Sequence, residues 1–330
     1  MVRPAGFEPT TVCLEGRCSI QLSYRRVGVS IENEPVRATR ANAVSSLSNR
    51  SRRIAWFSSL LNYHHRFLEF IRLRPYVHYM STASFSLAGQ TALVTGSSQG
   101  IGRSIARGLA LAGANVVLNG RDETKLERVR AEFASEDLSV QARAFDVTDE
   151  TAVQSAANEI GAIDILFNNA GIHRRGPLAE MSVENFEAVL TGNLTSAFLV
   201  ARAFIPAMIE RGQGKIINIC SIMSNLARPT TGNYAASKGG LAMLTKAMTA
   251  EWAQHNVQIN GIAPGYIDTP LNAPLVNDPK FSDWVKSRTP SRRWGTPEDL
   301  VGPAVFFASP ASNYVNGQIL TVDGGMLAVV

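Results

Sequence analysis

Over residues 84–330 the chain alternates short apolar runs with longer stretches whose apolar residues recur at helical spacing. The first run is Thr91–Thr95 (TALVT), followed by a glycine-rich turn and a helix expected over Arg103–Ala112. Asn115–Leu118, Val140–Phe145, Ile163–Phe167, Lys215–Cys220, Val257–Ile262 and Gln318–Val322 read as further strands. Glu123–Ser135, Glu150–Ile160, Val183–Arg211, Asn233–His255 and Pro297–Ala308 read as the helices between them. Strands alternating with helices of this length predict an α/β fold with a parallel sheet covered on both faces. The strands read as continuous apolar runs, as burial of both strand faces requires. No internal repeat is present. The segment 270–295 takes no regular element and is expected to cover the substrate.

Residues 1–83 read differently. They show no sustained period until about Ile54–Leu73, a stretch that reads as a helix in isolation. Residues 1–80 hold twelve Arg, no Lys and five Glu, while the remaining 250 hold 20 basic and 22 acidic groups. The net charge of +5 therefore belongs to the beginning of the chain. The mildly acidic remainder argues against nucleic acid as the main partner. Residues 1–83 are expected to be a disordered or non-native extension ahead of a catalytic domain at 84–330. Their opening, MVRPAGFEPTTVCLEGRCSIQLSYRR, resembles a translated non-coding stretch such as a transfer-RNA gene region, and Met80 offers a natural start. A targeting peptide, a regulatory arm, or an arginine arm for membranes or RNA are the competing readings.

Of the cysteines Cys13, Cys18 and Cys220, only the last lies in the expected domain. That excludes a disulfide framework there, and no Cys/His spacing points to zinc. No window holds the ~20 uninterrupted apolar residues of a membrane span. These features fit a soluble protein in a reducing, cytoplasmic setting.

Two motifs carry chemistry. Thr95-Gly96-Ser97-Ser98-Gln99-Gly100-Ile101-Gly102 lies between a strand and a helix, the context of a dinucleotide-binding turn. Gly96 permits the tight turn, Gly100 lets the backbone approach a pyrophosphate, and Gly102 allows close helix packing. The helix N-terminus then offers free N–H groups to the phosphates. In Tyr234-Ala-Ala-Ser-Lys238, a spacing of four puts phenol and ammonium on one helix face. The cation is expected to lower the Tyr234 pKa and make it a general acid/base.

These motifs, with Asn168-Asn169-Ala170-Gly171, Ser221 thirteen residues before Tyr234, and Pro264-Gly265, resemble the short-chain dehydrogenase/reductase family over residues 84–330. The resemblance implies a single Rossmann-type doubly wound domain with a seven-stranded parallel sheet, assembled as a homotetramer on its two long helices and last strand. It implies a catalytic set of Asn193, Ser221, Tyr234 and Lys238. Ser221 would bond the substrate oxygen and Tyr234 would pass the proton. Lys238 would hold the nicotinamide ribose, and Asn193 would hold a relay water. Asn168 and Ala170 would line the cofactor channel, Asp146 and Val147 would meet the adenine, and Ile267 and Thr269 the nicotinamide amide. Gly171, Pro264 and Gly265 belong to the same channel.

Cofactor choice turns on the end of the second strand. The position expected to be acidic for NAD is Gly120, and Arg121 follows it, a pattern favouring NADP over NAD. Asp122 is the competing acidic residue. Further segments, including Gly171–Pro177, Ile217–Ser221, Arg288–Gly295 and the ending Val322–Met326, resemble gluconate 5-dehydrogenases, which implies a sugar acid or polyol as substrate. Arg174, Arg175 and Arg228 are candidates for its carboxylate. Where that group usually carries Gln and then Ser-Glu after the serine, this chain has Met223, Ser224 and Asn225. The alternatives are a 3-oxoacyl thioester reductase or another sugar reductase on the same scaffold, and a non-catalytic dinucleotide sensor. Against the thioester, Trp284 and the arginines of 270–295 suit a small anion better than a long acyl chain.

Overall fold

The computed structural model describes residues 82–330. The expectations for Ile54–Leu73 and for a start at Met80 lie outside the described residues.

Seven strands form one parallel sheet: β1 (Thr91–Val94), β2 (Asn115–Gly120), β3 (Val140–Ala144), β4 (Ile165–Asn168), β5 (Gly214–Ile219), β6 (Val257–Pro264) and β7 (Ile319–Val322). Their spatial order is β3-β2-β1-β4-β5-β6-β7. The sheet reverses its winding between β1 and β4, the place where open α/β sheets bind ligands beyond the strand C-termini. The helices are α1 (Gly100–Leu111), α2 (Glu123–Ala134), α3 (Glu150–Ile160), α4 (Val183–Leu190), α5 (Ser196–Arg211), α6 (Gly232–Trp252), α7 (Ala273–Val276), α8 (Pro279–Arg288) and α9 (Val301–Ala308).

Two apolar layers sandwich the sheet. One joins Ile105 and Leu109 of α1 to Leu126 and Phe133 of α2 and Phe307 of α9. The other joins Val153 of α3 to Val200, Phe204 and Met208 of α5 and Met248 of α6. β4, β5 and β6 are buried along their whole length, as continuous apolar runs require. The expectation fails at the edges, where β3 and β7 are half-exposed because one side of each has no neighbouring strand.

The stretch expected as one helix, Val183–Arg211, is interrupted. α4 and α5 are joined by a π-helical turn at Thr191–Thr195, which inserts a residue and turns Asn193 inward. Such turns recur at functional positions. The combined helix is long and apolar enough by composition to cross a membrane, and it packs as a core helix beside β4 and β5. The segment 270–295 holds two helices that hydrophobic periodicity did not predict. α8 opens on Asp278, whose carboxylate accepts from the Lys280 and Phe281 N–H groups, followed by Pro279. Asp-Pro at a helix start is a legible capping signal.

Candidate active site

A cleft of about 830 Å³ runs along the C-terminal edge of the sheet and contains both motifs. At one end lies the glycine turn. Gly96 has φ +64 and Gly100 φ +55, backbone that favours glycine. A Cβ on Gly102 would stand 2.5 Å from the Gly96 oxygen and 2.3 Å from Asn169 Nδ2, so only glycine fits. The N-cap of α1, Gln99, makes no side-chain cap bond, and no acidic residue occupies the first turn. The first N–H groups of α1 thus remain for an anion.

The turn is braced from three sides. Asn119 Oδ1 accepts from the Gly96 N–H, and its Nδ2 donates to the Phe145 carbonyl. Thr95 Oγ1 accepts from the Asn169 and Ala170 N–H groups. Asn169 Nδ2 donates to the carbonyls of Thr95 and Gly96. Sequence reasoning missed Asn119, although a buried Asn ending an apolar strand was a visible signal.

Ser98, Gln99, Ile101, Gly120, Arg121, Asp146, Val147, Ala170, Gly171, Pro264, Gly265, Ile267 and Thr269 all line the cleft. Asn168 does not. Its side chain is buried and donates to Asn218 Oδ1 and the Ala197 carbonyl, because the end of β4 turns it toward α5, while Asn169 takes the place in the cleft. Asp122 N-caps α2 by accepting from the Lys125 N–H, which gives that carboxylate a structural partner. The Arg121 guanidinium lies 3.7 Å from Asp146 and stays largely exposed. Uncapped helix N–H groups, glycine clearance and a largely exposed guanidinium after β2, loosely paired with Asp146, together fit a phosphorylated dinucleotide.

The acid–base groups lie mid-cleft. Ser221, Tyr234 and Lys238 line it together. The Lys238 ammonium donates to the Ile219 carbonyl at 2.6 Å and lies 5.8 Å from the Tyr234 ring centre. Burial lowers Lys238 to about 8. Tyr234 departs from expectation: although its ring keeps some exposure, desolvation of the hydroxyl pushes its pKa up, and the Ser221 hydroxyl only partly counters this. The Lys238 ammonium, bonded to the Ile219 carbonyl, does not outweigh that burial. Asn193 is buried. Its Oδ1 accepts from the Ile172 N–H at 2.7 Å, and its Nδ2 donates to the Ile172 carbonyl and Ser237 Oγ. Those bonds occupy the side chain with protein partners and hold the 171–173 loop.

The far end is cationic and aromatic. His173 stacks on Tyr234 with ring centres 4.5 Å apart. Burial, then the Arg175 and Arg228 charges, lower His173 to about 4. Arg228 lies 4.6 Å over the Phe281 ring of α8. Tyr266 packs edge to face with Phe281, Trp284 and Trp294. Arg175 lies 3.5 Å from Asn272 Oδ1. Arg174 lines the rim but is exposed and bonds Asn185 Oδ1. Among the described residues, none of these three arginines forms an ion pair. Thr230, beside Arg228, has φ +70, a strained conformation for a β-branched residue. Sequence reasoning missed His173 and Tyr266, which single positions in loops could not announce.

A family model described as enoyl-(acyl carrier protein) reductase matches residues 96–327. The gluconate 5-dehydrogenase of Gluconobacter oxydans is 50% identical over 246 residues, covering 73% of this chain and 96% of that protein. The 5-keto-D-gluconate 5-reductase of Escherichia coli is 46% identical over 250 residues, covering 74% of this chain and 98% of that protein. A crystal structure of gluconate 5-dehydrogenase from Burkholderia cenocepacia, in complex with NADP and tartrate, is 50% identical with a TM-score of 0.74. It matches 75% of this chain and 99% of its own. With this sheet order, glycine turn and Ser-Tyr-Lys cleft, the chain belongs to the short-chain dehydrogenase/reductase family.

Proposed function

We propose that residues 84–330 are an NADP-linked oxidoreductase interconverting a secondary alcohol and a ketone on a sugar acid, and that residues 1–83 take no part in catalysis. The observation that carries the reading is the pairing, in one cleft, of Ser221, Tyr234 and Lys238 with Arg175 and Arg228, two cations with no carboxylate partner among the described residues. Relatives named for gluconate and 5-keto-gluconate chemistry agree with it. So does the NADP held by the Burkholderia cenocepacia relative.

When bound, the nicotinamide supplies or accepts the hydride. Ser221 Oγ holds the reacting oxygen, and Tyr234 gives it a proton in reduction or takes one in oxidation. Lys238 keeps a positive charge beside that exchange. Arg121, with Ser98 across the turn, receives the 2′-phosphate. Arg228 and Arg175 take the carboxylate, where a planar guanidinium binds two oxygens at once. The enzyme works in the cytoplasm as a homotetramer.

NADPH oxidation by the full chain should be screened against 5-keto-gluconate, 2-keto-gluconate, sorbose and an acetoacetyl thioester. The expected result is highest kcat/KM with a keto sugar acid. Highest kcat/KM with the thioester would overturn the reading in favour of an acyl reductase.

A further inference from the structure

Four buried side-chain polar atoms have no hydrogen-bond partner among the described residues: Asn168 Oδ1, His173 Nδ1, Arg228 Nε and Tyr266 OH. Three of the four sit at the far end of the cleft. Buried polar groups in folded proteins are nearly always paired, so a cluster of unpaired ones calls for a partner from outside the chain.

His173 is the informative member. It touches Tyr234 face to face, with only 24° between the ring planes. Its loop is fixed on both sides: Asn193 holds both backbone groups of Ile172, and Asn233 Nδ2 donates to the Arg174 carbonyl at 2.8 Å. The imidazole is thus held against the acid–base residue by a rigid frame. Among the described residues it has no hydrogen-bond partner, although it lines the cleft. Burial, with the Arg175 and Arg228 charges added, keeps it uncharged near neutrality. A neutral imidazole has one donor and one acceptor nitrogen, so it can bond a hydroxyl in either sense, while an imidazolium only donates. Stacked rings bring their edges side by side. A group bonded at the imidazole edge therefore lies close to the oxygen that Tyr234 serves.

We propose that His173 is a specificity-determining residue that hydrogen-bonds a hydroxyl on the carbon flanking the reacting one. In 5-keto-gluconate that carbon is C4, on the carboxylate side of the ketone, so the enzyme selects the ketone with a C4 hydroxyl, whose product is a vicinal diol there, over its 4-deoxy counterpart. Arg228 and Arg175 read the distant carboxylate, and His173 reads the near hydroxyl. This inference rests on the sugar-acid reading above.

The test compares two substrates, 5-keto-gluconate and its 4-deoxy analogue, each with NADPH and the full chain. His173→Phe keeps a ring on Tyr234 and removes both nitrogens. Its kcat/KM for 5-keto-gluconate should fall about 10–100-fold, as expected for one lost hydrogen bond with a buried partner left unpaired. The deoxy ketone should change less than threefold, a split that damage to the Tyr234 platform would not give. His173→Asn, which retains one donor and one acceptor, should keep most of the preference for the hydroxylated ketone. If His173→Phe is not folded by its melting curve, the Asn variant and the wild-type preference decide. Equal losses on both ketones, or a wild type indifferent to the hydroxyl, would overturn the role of His173 and leave the sugar-acid reading standing. A wild type that reduces neither ketone would overturn both.

Discussion

The two ends of the cleft are built on opposite principles. At the glycine turn, Thr95, Asn119 and Asn169 tie the backbone into a closed set of hydrogen bonds, and Gly102 has no room for a methyl group. At the far end, among the described residues, three buried polar atoms are unpaired and two arginines lack a carboxylate, and Thr230 is strained. The first end is held rigid before any ligand arrives, with only the first N–H groups of α1 left for an anion. The second is completed by its ligand, so the choice of substrate resides there.

The largest effect lies where the ends meet. Tyr234→Phe removes the proton donor and leaves the glycine turn intact. Turnover should fall by ~2–4 orders of magnitude, the usual contribution of general acid–base catalysis. NADPH affinity by fluorescence titration should be unchanged. Near-normal turnover would remove Tyr234 from the mechanism.

At the rigid end, Gly102→Ala forces a methyl against the Gly96 oxygen and Asn169. Overpacking of about 1–3 kcal/mol should weaken NADPH about tenfold or more while leaving the ranking of substrates unchanged. A changed ranking would show that the two ends are coupled. The Arg121 guanidinium should give a preference of ~10–100-fold for NADP over NAD, from one charge-assisted hydrogen bond of about 1.5–3 kcal/mol. Gly120→Asp with Arg121→Ile should reverse it, read as kcat/KM with each cofactor. A wild type preferring NAD would mean that Asp122 leaves its helix cap for the ribose.

The contrast also sets what was legible. The cofactor end is encoded in short contiguous motifs, TGSSQGIG and NNAG, whose glycine spacing has one physical meaning between a strand and a helix. The parallel sheet was legible for the same reason, since continuous apolar strands leave few alternatives. The far end is assembled from His173 and Arg175, Arg228, Tyr266 and Phe281, which lie in four separate loops or helices. Nothing in their local spacing announces that they meet. The π turn at Thr191–Thr195 was hidden because one inserted residue barely disturbs an apolar helical pattern. Helix α8 was legible through Asp278-Pro279 but lay outside any hydrophobic period. The direction of the Tyr234 shift was misjudged because spacing reveals the Lys238 charge and conceals the burial.

The smallest expected effect is on stability. His173 has a folded pKa of about 4, below the ordinary value of 6.5. Between those pH values the unfolded chain binds more protons, so stability falls as pH falls through that window. His173→Phe should make the decline in melting temperature from pH 7 to pH 4 shallower. An unchanged decline would mean that the imidazole is not held neutral at the cationic end.

The central claim is that a rigid dinucleotide end serves a substrate end that reads a carboxylate. Its most direct test is the ratio of kcat/KM for 5-keto-gluconate over sorbose, a neutral ketose, with NADPH, in the wild type and in Arg228→Ala. The account predicts a ratio well above one that falls about tenfold or more in the variant, from loss of an ionic hydrogen bond of about 1.5–3 kcal/mol. A ratio near one in the wild type, or the same ratio in both proteins, would contradict it.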